Sequence, residues 1–359
     1  TMIGLALGIF FLTQAILQIP FGWLSDRVGR KPVIIFGLLL FALGSVIAAM
    51  ADSMNGIILG RTLQGSGAIA STVMALVADL TREEQRTKAM ALVGISIGLS
   101  FAVAMVLGPV VAAVGGLASV FWFTAVLAAV GIGIVIVLVP TPHSAIGDHQ
   151  EEGARLGFIG RGLVDAGLVR LNFGVFVLHF ILVALFLVLP GVLEQTFGVG
   201  REQHWMVYLP VLLLSVVGMV PLMSLAERGK RPRQMFLLGI ALIFAAIGVL
   251  GFTSTNLLFY GGLWVFFVGF NYLEATLPSL VSKTVFAGGK GTAMGVYSSC
   301  QFMGAFAGGA GGGWLLDHLG SGVLTGVCLA LAAGWWLAVQ TGPMPKDVKN
   351  ITPTPLTEA

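Results

Sequence analysis

Few ionisable side chains interrupt the apolar stretches of this chain, and those few are the candidates for chemistry. Glu274 lies in the apolar stretch that precedes Lys283, nine residues before it, or about 14 Å along a helix. A carboxyl group in apolar surroundings is costly to ionise, so Glu274 is a candidate for loading and releasing a proton. The alternative is a neutral glutamic acid that only forms hydrogen bonds between helices.

Other polar residues lie in similar stretches. Imidazole titrates near neutral pH, which makes His179 a second candidate, although a lone histidine equally serves packing. The guanidinium of Arg61 needs a partner or a water-filled cavity, unless the side chain extends to the membrane interface. Amide side chains in the same stretches are candidates for lining a central cavity: Gln14, Gln18, Gln64 and Asn271.

A separate group of charges lies in the short polar segment 25–32, SDRVGRKP. Asp26 and Arg30 are about one helical turn apart, so they can pair while the carboxylate faces the positive end of a neighbouring helix. Making and breaking such a cluster would bias a gate between two conformations. The alternative is a surface ion pair worth about 1 kcal/mol or less.

The composition determines which solvent surrounds these groups. Of 359 residues, 57% are hydrophobic and 10% are charged, with a mean hydropathy of +0.97. Soluble domains carry roughly 25% charged residues, so lipid must cover much of this chain. Cys300 and Cys328 both lie in apolar stretches without disulfide or metal spacing. The pI near 9.0 reflects short basic clusters between apolar stretches, which indicates membrane topology and not nucleic-acid binding.

Apolar stretches of spanning length predict an all-α membrane protein with eleven spans. They divide into an N-terminal half at 1–140 with five spans, a cytoplasmic linker at 141–169, a C-terminal half at 170–341 with six spans, and a cytoplasmic tail at 342–359. The predicted spans are 2–23, 33–51, 55–79, 88–112, 118–140, 170–192, 204–226, 234–252, 256–282, 291–315 and 321–341.

The distribution of basic residues predicts the orientation. Of the nineteen Lys and Arg residues, all except Arg61 and Arg201 fall in segments on one side, which the positive-inside rule makes cytoplasmic. Thr1 is then outside and Ala359 inside, whereas an even number of spans would put both ends inside. We therefore expect that a first helix is missing from this chain; the alternative is a native protein with eleven spans.

The two halves repeat each other in sequence. The segment 86–91, RTKAMA, recurs as 290–295, KGTAMG, and the segment 25–32 has a weaker echo in 226–232, AERGKRP. At the offset of the first echo, Gly65 falls on Gly269. Parallel repeats that meet along an axis normal to the membrane are typical of alternating-access transporters, whose site lies between the halves.

Three motifs resemble those of the major facilitator superfamily. The segment 22–32, GWLSDRVGRKP, is similar to the loop between the second and third family helices, and the segment 59–67, LGRTLQGSG, to the motif of the fourth. Gly108-Pro109 resembles the antiporter motif of the fifth family helix, although Ala112 and Ala113 replace family glycines. The resemblance implies a gate formed by Gly22, Asp26, Arg27, Gly29, Arg30 and Lys31, with Asp79 as acidic partner, and it places Arg61, Gly108 and Pro109 on a transport pathway. The candidates chosen above for their residue type complete that predicted pathway: Gln64, His179, Asn271 and Glu274.

The resemblance also implies two six-helix halves and a proton-coupled antiporter that exports small amphipathic or drug-like molecules. The alternative is uptake by proton symport or facilitated diffusion, because the fold does not fix the direction. The expected partners are a small-molecule substrate, protons and the lipid bilayer of a bacterial inner membrane, with the protein a monomer and its C-terminus cytoplasmic. No cofactor beyond the coupling proton, no metal site and no nucleic acid are expected, and no enzyme motif occurs in the sequence.

Overall fold

The computed structural model describes residues 2–81, 83–140, 166–228, 231–284 and 290–342, and every regular element in these ranges is helical. A 3-10 turn spans Arg201–Gln203, and a π-helical segment spans Ala307–Gly311. The α-helices are α1 Met2–Val28, α2 Arg30–Ala49, α3 Met54–Ser66, α4 Ala70–Leu80, α5 Glu83–Val137, α6 Ala166–Gln195, α7 His204–Arg228, α8 Pro232–Phe252, α9 Asn256–Thr284, α10 Lys290–Phe306 and α11 Gly312–Thr341.

In the described residues, eight helical stretches are long and apolar enough to cross a membrane. Breaks divide two of the longest helices: Gly115 and Gly116 interrupt α5, and Gly320 interrupts α11. Both breaks fall in gaps between predicted spans. By contrast, the predicted span 55–79 consists of two short helices, α3 and α4, with residues 67–69 between them. The number of eleven spans therefore stays a prediction.

The breaks follow from residue type. Gly116 and Gly320 have positive φ angles of 67° and 84°, where a side chain would clash with the backbone. Prolines inside the helices, such as Pro109 in α5 and Pro190 in α6, are tolerated because neighbouring helices in a membrane protein can satisfy the freed carbonyl groups.

The halves differ in how they pack. The C-terminal half has one large buried cluster of aliphatic and aromatic side chains, with Trp335 of α11 fully buried edge-on against Phe236 of α8. In the N-terminal half, close approach of helices depends on small residues: a Cβ atom added to Gly44 of α2 would lie 2.6 Å from the carbonyl oxygen of Gly60 in α3. Small residues at helix interfaces are typical of membrane proteins.

Helix α1 joins the two halves. Its first turns pack against the π-helical segment, where a Cβ atom added to Gly4 would overlap the carbonyl oxygen of Gly309. Further along, Phe11 stacks on Phe302 with 6.4 Å between ring centroids, and Ser299 donates to the carbonyl of Ala15. These contacts lie in the half of α1 nearest its start, which the orientation prediction places towards the outer face.

Two helix ends lie close to boundaries of the predicted segments, which stay predictions. Helix α6 begins at Ala166, inside the predicted linker 141–169, because the apolar run Ala166–Val169 continues the helix towards its N-terminus. Helix α11 ends at Thr341, as the predicted C-terminal half does. Residues 141–165 of the linker and 343–359 of the tail lie outside the described residues.

Candidate functional site

A polar cluster lies in the C-terminal half, where α6, α9 and α10 meet. The amide nitrogen of Gln301 is 3.2 Å from Oε1 of Glu274 and 2.8 Å from Nε2 of His179. The second carboxylate oxygen, Oε2 of Glu274, is 3.8 Å from the same imidazole nitrogen. The structure therefore brings Glu274 and His179 together, with the side chain of Gln301 between them.

The hydrogen bonds define the state of the imidazole. Nδ1 of His179 is 3.1 Å from the carbonyl oxygen of Val175, which can only accept, so Nδ1 carries a proton. In the neutral ring Nε2 is then an acceptor, and the amide of Gln301 donates to it. The second N–H of the same amide donates to Glu274, which requires an acceptor oxygen there as well.

The surroundings of the cluster are mostly aromatic. The ring of Phe270 meets the imidazole of His179 edge-on at 5.9 Å, and Tyr297 lies one helical turn before Gln301 on α10. Oε2 of Glu274 and the hydroxyl of Tyr297 are both buried without a hydrogen-bond partner. Buried polar atoms normally have partners, so these two atoms mark a place where a transported group could bind.

Sequence reasoning missed Gln301. The available signal was an amide in an apolar helix, the same signal that selected Gln64, and Tyr297 four residues earlier places two polar side chains on one helix face. The predicted pathway residue Asn271 lies outside the cluster: its amide donates to Ser215 of α7 at 2.8 Å. Asn271 therefore ties α9 to α7.

Arg61 belongs to a second polar network, in the N-terminal half. Its guanidinium donates to the carbonyl of Ala6 at 3.3 Å and to Oε1 of Gln64 at 3.0 Å, and it lies 4.5 Å from the ring centroid of Phe10. Gln64 in turn donates to Ser45 at 2.7 Å. Among the described residues no carboxylate forms an ion pair with Arg61, so a carbonyl, an amide and a ring together take the place of a counter-ion.

The predicted gate residues form two separate sets of contacts. Nε of Arg30 is 3.0 Å from Oδ2 of Asp79, and Nη1 of Arg30 donates to Ser25 at 2.6 Å. Asp26 lies in the last turn of α1, and its side chain is outside the described part of the structure. The Arg30–Asp79 pair links the start of α2 to the end of α4.

The neighbouring basic residues point elsewhere. The guanidinium of Arg27 stacks 3.9 Å from the ring centroid of the exposed Trp23. Lys31 donates to the carbonyl oxygens of Val139 at 2.7 Å and Ile136 at 3.4 Å, where α5 ends. A basic side chain at the C-terminal end of a helix satisfies free carbonyl groups and the helix dipole. Lys31 therefore holds two helices of one half together.

The C-terminal half repeats this contact. Arg233, in the first turn of α8, donates to the carbonyl oxygens of Val339 and Gln340 in the last turn of α11. Lys31 and Arg233 thus occupy equivalent places in the two halves, although the sequence echo of 25–32 in 226–232 ends one residue before Arg233.

The glycines of the segment 22–32 and of the Gly108-Pro109 motif have different surroundings. Gly29 has φ +100°, which favours glycine between α1 and α2. A Cβ atom at Gly22 would lie 3.5 Å from Oγ of Ser71, so Gly22 faces α4 at ordinary contact distance. Around Gly108 an added Cβ atom would meet no atom within 4 Å.

Pro109 lies at the boundary between the halves. It lines a cavity of about 460 Å³ with Ala112 and Ala113 of the same helix. The opposite wall comes from the C-terminal half and carries the ion pair of Glu194 and Arg201, with 2.6 Å between Oε1 and Nε. The remaining lining residues are Pro190, Glu202 and His204. In the described ranges no group of three or more His, Cys, Asp or Glu side chains could hold a metal ion.

Comparison with known proteins agrees with this architecture. Residues 1–309 match the Major Facilitator Superfamily. The chain is 47% identical over 352 residues to the inner membrane transport protein YajR of Escherichia coli (strain K12), covering 98% of this chain and 77% of that protein. It is 27% identical over 328 residues to the multidrug resistance protein MdtH of Aeromonas salmonicida, covering 88% and 79% of the two chains.

The fold has a solved relative. The crystal structure of the human organic anion transporter MFSD10 (TETRAN) superposes with a TM-score of 0.70 at 22% identity, covering 94% of this chain and 83% of that one. At this identity the likeness concerns the fold alone. Together with the all-helical structure, these matches confirm the predicted fold class, and the chain belongs to the Major Facilitator Superfamily of membrane transporters.

Proposed function

We propose that this transporter is a proton-coupled antiporter that exports small amphipathic or drug-like molecules by alternating access. The cluster of Glu274, Gln301 and His179 is the observation that carries the proposal. It contains a carboxyl group and an imidazole, two kinds of side chain that can take up and release protons, and both are partly withdrawn from solvent.

Two further observations support substrate binding at the same place. Oε2 of Glu274 and the hydroxyl of Tyr297 are buried without partners, so a donor group on a substrate would satisfy an atom that is otherwise costly to bury. The neighbouring Phe270 stacks on Phe266 with 6.2 Å between centroids, which gives an aromatic surface for the apolar part of an amphipathic molecule.

Support for export comes from two sources. The Gly108-Pro109 motif resembles that of antiporters, and one relative of the chain is a multidrug resistance protein. The second candidate function, uptake by proton symport or facilitated diffusion, uses the same fold and the same cluster. The direction in which protons move relative to the substrate separates the two.

The test uses inside-out membrane vesicles with a preformed inward-acid pH gradient and ethidium, an amphipathic cation, as the probe. An antiporter releases protons from the vesicles as it takes up ethidium, so the pH gradient falls when the dye is added. A symporter run in this direction does not accumulate ethidium. If a panel of amphipathic cations, anions and neutral dyes leaves the gradient unchanged in vesicles with this protein, the antiport proposal is wrong.

A further inference from the structure

The cavity beside Pro109 lies apart from the polar cluster of Glu274. It has a volume of about 460 Å³, and its walls come from α5 of the N-terminal half and from the end of α6 and the start of α7 of the C-terminal half. On α6, Glu194 lies fifteen residues after His179, or about 22 Å along the helix. A cavity of this volume can hold a small organic molecule. It is therefore a separate candidate for a binding site.

The wall formed by α5 is apolar. Its lining residues are Pro109, Ala112 and Ala113, and Pro190 of α6 adds another apolar residue. None of these side chains can form a hydrogen bond, so they contribute to binding by packing against apolar groups and keeping water away from them. A ligand of this cavity therefore needs an apolar part.

The opposite wall contains an imidazole with an unpaired acceptor. His204 lines the cavity and is only 7% exposed. Its Nε2 is 3.1 Å from the carbonyl oxygen of Val199, which can only accept, so Nε2 carries a proton and Nδ1 of the neutral ring is an acceptor. Within the described ranges, Nδ1 has no hydrogen-bond partner. Because polar groups withdrawn from water are normally paired, Nδ1 marks a place for a donor group of a ligand.

The charges of the lining favour a cation. Arg201 is compensated by Glu194, with 2.6 Å between Nε and Oε1. Glu202 also lines the cavity, and in the part of the chain that the structure describes it forms no ion pair. The helix dipoles add little, because the negative end of α6 and the positive end of α7 meet here and oppose each other. One carboxylate of the lining is thus left without a positive charge.

We infer that this cavity is a binding site for a protonated amphipathic amine. The ammonium group donates to Nδ1 of His204 and to the carboxylate of Glu202, while the apolar part packs against Pro109 and Ala113. Because the walls belong to different halves, a bound amine stabilises the arrangement of the halves described here. The site does not depend on the proposed antiport, since no residue of the Glu274 cluster lines it.

The test is fluorescence titration of the purified protein in lipid nanodiscs, without a pH gradient. The probe is dansylcadaverine, a primary amine that is protonated at neutral pH, and empty nanodiscs correct for its partition into lipid. Dansylglycine carries an anionic group on the same fluorophore, and dansylamide is neutral. We expect saturable binding of dansylcadaverine, with the other two probes bound about fivefold more weakly or less.

Three variants assign the binding to the cavity. Glu202→Gln removes the unpaired charge and should raise the Kd of dansylcadaverine about fivefold. His204→Gln keeps an N–H group for the carbonyl of Val199 but lacks Nδ1, and it should raise the Kd about tenfold. Ala113→Leu extends a side chain into the cavity and should abolish saturable binding. The exposed Ala118→Leu, on the same helix and outside the lining, is the matched control.

Several results would overturn the inference. Absence of saturable binding to the unaltered protein rejects the site, and equal or tighter binding of dansylglycine contradicts the positive charge. Unchanged binding in either Ala113→Leu or Glu202→Gln moves the probe out of the cavity, so one folded variant of the two is enough. Glu274→Gln should bind the probe normally, and loss of binding there would assign it to the polar cluster. Proton-driven transport is measured separately, so this site can fail while the antiport proposal stands.

Discussion

Arg30 and Asp79 form an ion pair with 3.0 Å between Nε and Oδ2, although the two residues lie 49 positions apart in the sequence. Arg30 is mostly buried, with 16% of its side chain exposed, and Asp79 is 41% exposed. The pair joins the start of α2 to the end of α4, at the face that the orientation prediction makes cytoplasmic. Its contribution to stability is modest at this exposure, so its effect should appear in the conformational cycle.

Asp79→Asn and Arg30→Ala should lower the rate of turnover more than the affinity for substrate. If one of the two conformations in the transport cycle loses about 1 kcal/mol of stabilisation, the ratio of their populations changes about fivefold. Asp26→Asn should act in the same direction if Asp26 belongs to the same gate. The measurements are transport rate and dye binding in proteoliposomes, with the exposed Asp52→Asn as a matched control. Reduced binding with an unchanged rate would exclude a gate at this place.

Lys31→Ala and Arg233→Ala should each destabilise the protein, because each leaves the end of a helix with free carbonyl groups. We expect a loss of about 1 kcal/mol or less for each variant, which lowers Tm by about 2 °C in a chain of this size. Lys31→Arg should retain most of the stability. Thermal unfolding in detergent measures the effect. Full stability of Lys31→Ala together with a loss of transport would instead assign Lys31 to the gate.

Gly4→Ala and Gly304→Ala should have different consequences. An added Cβ atom on Gly304 would overlap the carbonyl of Phe176 within one half, and one on Gly4 would overlap Gly309 across the two halves. Overpacking within a half should cost about 1–3 kcal/mol of stability, whereas overpacking between halves should mainly disfavour the conformation described here. Thermal unfolding and transport together separate the two effects, and Gly322→Ala, with open space around it, is the control. Equal destabilisation by both variants would contradict a movable interface at Gly4.

Glu274→Gln should abolish accumulation of substrate driven by a pH gradient, because the amide keeps the shape of the neutral acid but cannot ionise. Exchange of labelled for unlabelled substrate needs no net proton movement and should continue. Both assays use purified protein in liposomes, with the exposed Asp52→Asn as the matched control. Accumulation by Glu274→Gln under a pH gradient alone would remove Glu274 from the coupling mechanism.

Cysteine substitution should establish the orientation. In a background with Cys300 and Cys328 replaced by serine, an impermeant reagent applied from outside should label Asp52→Cys and Glu202→Cys. It should miss single cysteines placed on the predicted cytoplasmic side. The cytoplasmic positions to be tested are Asp26, Arg86, Arg155, Arg228, Lys283 and Lys346. Labelling of two or more of these six from outside would reverse the predicted orientation.

The sequence by itself determined that the chain is a helical membrane transporter built from two related halves. Apolar stretches and basic clusters are local properties, so composition and motif spacing predict them without knowledge of contacts. Glu274 and His179 stood out for the same reason, since an ionisable group in an apolar stretch is costly whatever its neighbours are.

The tertiary structure decided which of these residues meet. His179 and Gln301 lie 122 positions apart, and their contact depends on how α6, α9 and α10 pack, which no local pattern encodes. Likewise the motif 22–32 contains three basic residues, Arg27, Arg30 and Lys31, whose contacts the sequence does not distinguish. Packing directs Arg30 to Asp79, Lys31 to the end of α5 and Arg27 to Trp23, because each successive position on a helix faces a different neighbour.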